Sequence, residues 1–155
     1  MVAGMSQTEV AGTVLRPGSI VLTGEDASSL AQVLGSPASG HALHPLFAFI
    51  GAQRGIGVSV AELCAAVGFD VEDGPLLGSL QIEWHRDLKA ATEYAVEGEI
   101  TSLLRKHGRS GTIDIFDFQE RLLDDGGVAA TVDVTFVLPR PAGDEGGNHD
   151  GTAAR

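Results

Sequence analysis

Two histidines, His41 and His44, stand in a glycine-containing stretch directly before an apolar segment. An unperturbed imidazole titrates at about pH 6.5, so either ring can exchange a proton at physiological pH. Loops that lead into a buried element often carry functional groups. The pair therefore indicates acid or base catalysis, with capping of the following helix as the alternative. A metal site is not expected, because no third ligand stands near the pair in the sequence.

The segment after these histidines, residues 45–55, predicts a helix that is apolar on most faces and therefore buried. Pro45 suits its first position, where a missing N–H costs nothing. Two flanking helices are predicted from capping boxes, one at Thr23 with Asp26 (residues 25–34) and one at Ser59 with Glu62 (ending at Gly68). A short strand at 19–22 precedes the first of them.

The second half of the chain has the alternation of apolar and polar residues that predicts strands. Four are expected, at residues 76–84, 93–104, 112–123 and 128–138. The turn-like connections at 107–111 and 124–127 predict that these strands form an antiparallel meander. Strands of this length are about twice as long as usual and must curl. The apolar helix at 45–55 is the element expected inside the curl.

Length and composition predict one domain with loose ends. The 155 residues suit a single core, which we place at 18–138, after a flexible N-terminus at 1–17. Residues 139–155 are rich in Pro, Gly and charged groups and predict a disordered tail. The 21 acidic residues against 10 basic ones, a net charge of -11, argue against nucleic-acid and membrane binding. No targeting or membrane-spanning segment is visible, so a cytoplasmic protein is expected.

Three stretches of this sequence resemble one family. They are residues 20–26, the run from His44 to Phe49, and residues 78–88. The chain is similar here to MaoC-type hotdog hydratases and dehydratases, and most to the sub-family related to fungal-type fatty-acid-synthase dehydratase domains. In that sub-family a His-Arg-Pro-Leu run is common; here Asp87 replaces the proline. The resemblance implies an α+β hotdog fold, in which a long curved antiparallel sheet wraps around a central helix.

The resemblance also implies an activity: hydration of an enoyl thioester or dehydration of a 3-hydroxyacyl thioester, in fatty-acid or polyketide metabolism. The acyl group would be carried by CoA or an acyl carrier protein, and no cofactor is expected. In the family an Asp and a His of an Asp-x-Asn-Pro-x-His motif share the proton transfers. Backbone N–H groups at the helix start stabilise the enolate.

The family motif is incomplete here. With His44 in the histidine position, Ser39 replaces the Asp and His41 replaces the Asn. Another alignment gives His44 and Pro45 a purely structural role. The candidates are therefore His44 and His41 for catalysis, and Ser39, Gly40, Gly78 and Arg54 for substrate binding.

Arg54 and Gly78, the two candidates outside the histidine segment, each have an alternative to substrate binding. Arg54 could bind the phosphates of CoA or pair with a carboxylate, and Gly78 could admit a thioester or form a bulge. An exposed sheet edge also predicts a homodimer or a heterodimer with a second hotdog chain.

Three other functions stay open. The chain could be a non-catalytic subunit that pairs with a catalytic MaoC-like chain, or a protein that only binds an acyl or polyketide chain. A hotdog thioesterase is less favoured, because such enzymes usually place an acid on or beside the central helix. Here the first acid after His44 is Glu62.

Overall fold

Alternating apolar and polar residues build one antiparallel sheet, which is seen in a computed structural model that describes residues 7–35 and 43–141. The helices are α1 (Gln7–Val10), α2 (Gly24–Leu34), α3 (Phe47–Gly55) and α4 (Val60–Ala66), followed by a 3₁₀ turn (Val71–Asp73). The strands are β1 (Gly18–Val21), β2 (Leu76–Trp84), β3 (Glu93–Gly108), β4 (Gly111–Asp124) and β5 (Gly127–Arg140). All the predicted helices and strands are present, within a few residues of their expected bounds.

The order of strands across the sheet is β1-β3-β4-β5-β2. The predicted meander is confirmed for β3, β4 and β5 but is wrong for β2, which pairs with β5 rather than with β3. The reason is the connection between β2 and β3, residues 85–92, which is too long for a hairpin turn. Arg86 in this connection donates to the carbonyl of Gly127 at 2.8 Å and pairs with Asp124, which holds the connection against the β4–β5 turn.

The central helix α3 lies against one face of this sheet and contacts all five strands. It fits closely because glycine occupies the positions that meet the sheet. A Cβ added at Gly55 would lie 2.5 Å from Cγ2 of Val96, and one at Gly51 would lie 3.1 Å from Cδ2 of Leu122. The predicted arrangement, a long curved sheet around a buried helix, is confirmed. The strands bend at register shifts beside Gly78, Thr101 and Leu122.

Both predicted capping boxes are confirmed. Thr23 and Asp26 exchange hydrogen bonds at the start of α2, and Ser59 and Glu62 do the same at the start of α4. These bonds lower the pKa of both carboxyl groups, mainly because a backbone N–H donates to each. The two helices differ in packing: α4 buries Leu63 and Cys64, whereas α2 buries none of its residues.

A cluster of one buried acid and two arginines joins the ends of three strands. Asp114 of β4 is 1% exposed and accepts hydrogen bonds from Arg105 of β3 and Arg140 of β5. Burial acts to raise the pKa of Asp114, but the two guanidinium groups together hold it below its ordinary value. Arg140 also donates to the carbonyl of Val67 at 3.0 Å, so the same cluster fixes the end of α4.

The first described segment, residues 7–17, lies along β3. The N–H of Gly12 donates to Ile100 at 2.7 Å and that of Leu15 donates to Gly98 at 2.8 Å. Val10 and Leu15 are buried in the core. These contacts attach residues 7–17 to the domain predicted at 18–138, although the sequence predicts them as part of a flexible N-terminus at 1–17. Of the predicted tail at 139–155, Pro139 and Arg140 belong to β5, and residues 142–155 lie outside the described part of the chain.

Candidate active site

The start of α3 is held in place from two sides. The indole N–H of Trp84, at the end of β2, donates to the carbonyl of Pro45 at 2.9 Å. The N–H of Leu43 donates to the carbonyl of Leu88 at 2.9 Å. His44 is exposed between these two anchored points. The predicted catalytic histidine therefore stands at the mouth of the central helix, on a backbone fixed by its neighbours.

The imidazole of His44 has one nitrogen engaged. Its Nδ1 accepts a hydrogen bond from the backbone N–H of Leu46 at 3.1 Å. An accepting Nδ1 cannot carry a proton, so the neutral ring carries its proton on Nε2. In this arrangement Nε2 can donate a hydrogen bond to a substrate, but it cannot accept a proton. His44 is thus placed as a hydrogen-bond donor, and the groups that move protons have to come from elsewhere.

The backbone N–H groups at the start of α3 are also engaged. Those of Phe47 and Ala48 donate to the carbonyls of His44 and Pro45 at 2.9 Å and 3.1 Å, and that of Leu46 donates to His44. The family resemblance implies that N–H groups at this helix start stabilise an enolate. In the described conformation these three donate within the turn, so an enolate would have to displace one of those bonds.

Three of the predicted site residues cannot be placed, because Ser39, Gly40 and His41 lie outside the described residues. The other two do not join His44. Arg54 lies in the last turn of α3, at the opposite end of the helix, and its guanidinium pairs with Asp26 at 3.4 Å. Gly78 forms the register shift between Leu77 and Ser79 of β2. Arg54 thus forms the ion pair and Gly78 the bulge that were named as alternatives, and substrate binding by these residues stays a prediction.

An apolar strip runs along the outer edge of the sheet beside α3. Its members are the β2 residues that lie opposite buried side chains of β5: Leu77, Leu80, Ile82 and Trp84, which we call the β2 strip. Leu77 is 54% exposed and Trp84 is 48% exposed. Side chains opposite each other in a sheet share a face, so the strip extends the core surface beyond the part covered by helices. It can hold an acyl chain or an apolar partner surface next to His44.

The structure also shows a buried acid that sequence reasoning missed. Glu120 of β4 is 1% exposed, and Gln53 of α3 donates to its Oε2 at 2.8 Å. Burial raises the pKa of Glu120 to about 7, against the lowering effect of the Gln53 hydrogen bond. The signal was present in the sequence, because Glu120 falls in phase with Phe116, Phe118 and Leu122 on the apolar face of its strand.

The described surface also contains an acidic cavity of about 460 Å³. Ser19, Thr92, Ala95 and Leu123 line it together with Glu93, Asp124 and Asp125. Its carboxylates would repel the phosphates of CoA. The predicted site residues within the described part of the chain, His44, Arg54 and Gly78, do not line it.

Among the described residues, 7–35 and 43–141, no helix is long and apolar enough to cross a bilayer. The same residues contain no group of three or more His, Cys, Asp or Glu side chains placed to hold a metal ion.

Comparisons with known proteins support the fold. No family model and no curated protein matches the sequence. Among solved structures, the chain is similar to the C-terminally truncated HadBC (3R-hydroxyacyl-ACP dehydratase) complex from Mycobacterium tuberculosis, with a TM-score of 0.66 and 16% identity over 85% of this chain and 99% of the other. It is similar to the ChsH1-ChsH2 complex from the same organism, with a TM-score of 0.63 and 12% identity over 83% and 89%.

A third similar structure is a MaoC-like dehydratase from Phytophthora capsici, with a TM-score of 0.64 and 12% identity. The match covers 87% of this chain and 50% of that one, so the present chain corresponds to half of the larger protein. The predicted architecture is confirmed: the chain has a MaoC-like hotdog fold.

Proposed function

We propose that this chain is a hotdog subunit of an enoyl-thioester hydratase or 3-hydroxyacyl-thioester dehydratase. The observation that carries the proposal is the position of His44, an exposed histidine at the mouth of a buried central helix with its Nε2–H available as a hydrogen-bond donor. Solved structures with this fold include one named as a 3R-hydroxyacyl-ACP dehydratase. The substrate is an acyl thioester of CoA or of an acyl carrier protein, with its acyl chain along the β2 strip.

The chemistry assigns His44 the role of hydrogen-bond donor. Hydration adds water across the C=C bond conjugated to the thioester: a base removes a proton from water, the oxygen bonds to the β-carbon, and the protonated base delivers that proton to the α-carbon. The Nε2–H of His44 supplies a hydrogen bond in this step and stays on the ring. The base belongs to another group; His41 precedes His44 in the chain, and a partner chain is the other source. Ser39, Gly40, Gly78 and Arg54 remain proposed substrate-binding residues.

The first experiment is a hydration assay with the purified chain and crotonyl-CoA and longer enoyl-CoAs, followed by the ultraviolet absorbance of the conjugated thioester. The His44→Ala variant is expected to lose at least about 100-fold in rate, the usual contribution of a positioned hydrogen-bond donor to a developing charge. His107→Ala is the matched control, because His107 is an exposed histidine near the β3–β4 turn. Equal rates for His44→Ala and the unchanged chain would contradict the assignment of His44.

A second candidate function is a non-catalytic subunit, and one observation favours it. The Nδ1 atom of His44 accepts from Leu46, and the N–H groups at the start of α3 donate to carbonyls of the preceding turn. The described residues near His44 therefore show neither a base nor an unoccupied N–H group for an enolate. In that case the chain alone is inactive and activity appears on addition of a catalytic MaoC-like chain. Binding of enoyl-CoA without turnover under either condition would favour an acyl-binding protein instead.

The proposed partner surface is the outer edge of β2. Within residues 7–35 and 43–141, this nine-residue edge strand has no partner strand on its outer side, and an unpaired edge of this length is a hazard unless it is covered. Its exposed Leu76 and Leu77 add apolar area. We expect a homodimer, or a heterodimer with a second hotdog chain, through this edge.

Light scattering tests the interface. The unchanged chain is expected at twice its 16.0 kDa mass, and Leu77→Lys is expected to shift the distribution toward the single chain. Val33→Lys is the matched control, because Val33 is 82% exposed on α2, away from the sheet edge. A single-chain mass for the unchanged protein at micromolar concentration, with no mass increase on adding a MaoC-like chain, would contradict the proposed pairing.

A further inference from the structure

Glu120 occupies an unusual place for an acid: the middle of the buried sheet face, directly under the central helix. It lies between Gly98 of β3 and Val132 of β5 in the register. Its side chain is 1% exposed, and Gln53 of α3 is its one hydrogen-bond partner among the described residues, at 2.8 Å. A carboxyl group in such surroundings is stable when protonated and costly when ionised.

Within the described part of the chain, no cationic side chain pairs with Glu120. Its neighbours on the same face of the sheet are apolar, namely Val96, Ile100, Phe118, Leu122, Ala130 and Val134. The charged side chains on the elements packed over this region point elsewhere. Arg54 of α3 pairs with Asp26, and Arg16 of the N-terminal segment pairs with Glu62, and all four are in contact with solvent. Asp114, the other acid buried on this face of β4, is six residues along the strand and pairs with Arg105 and Arg140.

The fit of α3 on the sheet also leaves no room for hydration of an ionised Glu120. Gly51 and Gly55 lie on either side of Gln53. They bring the helix backbone so close to the sheet that an added Cβ would meet Leu122 and Val96. On the sheet side, a Cβ at Gly98 would lie 3.4 Å from Cγ of Glu120. Water can therefore reach the carboxylate only if the second half of α3 moves away from the sheet.

We propose that Glu120 and Gln53 form a proton-dependent contact that seats the second half of the central helix on the sheet. With the carboxyl protonated, the helix is seated as described. When the O–H bond of the carboxyl breaks, the proton passes to water, and the carboxylate is hydrated through a local opening of residues 51–56. The contact is independent of the proposed thioester chemistry, because it lies at the opposite end of α3 from His44.

The transition falls in the physiological range. Because burial raises the pKa of Glu120 to about 7, the fraction of molecules with a seated helix decreases as the pH rises through neutrality. A protein exposed to modest changes in pH would thus alter the mobility of the helix that carries its candidate site.

Amide hydrogen exchange tests the proposal on the full chain. Protection factors remove the intrinsic pH dependence of exchange, and those of residues 51–56 are expected to fall at least tenfold between pH of about 6 and about 8. In Glu120→Gln, an uncharged side chain of the same shape, they are expected to stay constant. Glu83→Gln, which removes an exposed carboxyl group on β2, is the matched control and should behave as the unchanged chain.

Two results would overturn the proposal: constant protection in the unchanged chain, or the same pH-dependent loss in Glu120→Gln. A second variant covers the case in which Glu120→Gln does not fold. Gln53→Leu removes the hydrogen bond that lowers the pKa of Glu120, so the midpoint of the protection loss is expected to move to higher pH. An unchanged or lower midpoint would also contradict the proposal. Activity is not measured, so the proposed function and this contact stand or fall separately.

Discussion

At the scale of single residues, the chemistry of His44 is set by a hydrogen bond of 3.1 Å from the backbone N–H of Leu46 to Nδ1. Because Leu46 donates to Nδ1, the proton of the neutral ring is fixed on Nε2. The sequence predicted which histidine stands at the helix mouth. It could not predict the tautomer, which depends on a side-chain rotamer and on the turn at Pro45. The same limit applies to Arg54 and Gly78, whose neighbours come from distant parts of the chain.

Trp84 is expected to stabilise the start of α3. Its indole N–H holds the carbonyl of Pro45, so Trp84→Phe removes one hydrogen bond and keeps most of the aromatic surface. We expect the free energy of unfolding in urea to fall by about 1 kcal/mol, the net value of a typical protein hydrogen bond. Phe49→Leu, on α3 but away from this bond, is a comparison for loss of apolar contact alone. A Trp84→Phe variant as stable as the unchanged chain would show that the bond does not anchor the helix start.

At the scale of elements, α3 depends on glycine for its close approach to the sheet. In Gly55→Ala the new Cβ would meet Cγ2 of Val96 at 2.5 Å and Ile20 at 3.1 Å. Overpacking of this kind costs about 1–3 kcal/mol, which exceeds the gain from higher helix propensity. Thermal unfolding is expected to show a clear loss of stability.

Gly24→Ala is the matched control for that substitution. Gly24 is the first residue of α2, and a Cβ there would meet no atom of the described residues within 4 Å. Its replacement should be neutral or slightly stabilising, because it only restricts the unfolded chain. If both variants lost the same stability, close packing of α3 could not be the cause.

The elements were largely predictable from local sequence, and their arrangement was less so. Capping boxes at Thr23 and Ser59 and the alternation in β3 to β5 depend on neighbours a few residues apart, so they can be found in the sequence. The position of β2 beside β5 depends on contacts between segments about fifty residues apart. The burial of Glu120 is an intermediate case: the strand phase reveals it, but the partner Gln53 comes from another element.

At the scale of the whole molecule, two buried acids on the same face of β4 give the protein opposite responses to pH. The pKa of Asp114 is lowered in the folded state, so its contribution to stability is present above pH of about 4 and is lost as the pH falls through the folded value. The pKa of Glu120 is raised to about 7, so its contribution is complete below its ordinary value and is lost as the pH rises to neutrality. Stability is therefore expected to be greatest in mildly acidic solution.

Urea denaturation as a function of pH tests this balance. Between pH of about 4.5 and about 7 the unchanged chain should lose up to about 3 kcal/mol of unfolding free energy, from the size of the Glu120 shift. Glu120→Gln should remove this slope and leave the acid limb. A stability that rises steadily up to neutral pH would contradict the prediction.

Asp114→Asn is expected to act on the other limb. It leaves Arg105 and Arg140 without their shared carboxylate, which should cost about 3 kcal/mol at neutral pH. The variant should also lose less stability on acidification than the unchanged chain. Asp125→Asn, at an exposed turn position, is the control for removal of one negative charge.

Trp84 is the one tryptophan of the chain. Its indole is half in solvent and hydrogen-bonded at the helix mouth. The fluorescence spectrum of the unlabelled protein therefore arises from a single ring at this location. An aliphatic chain or a second subunit that packs against the ring would displace water from it and shift its emission to shorter wavelength. Intrinsic fluorescence thus reports binding at the mouth of α3 without an added label.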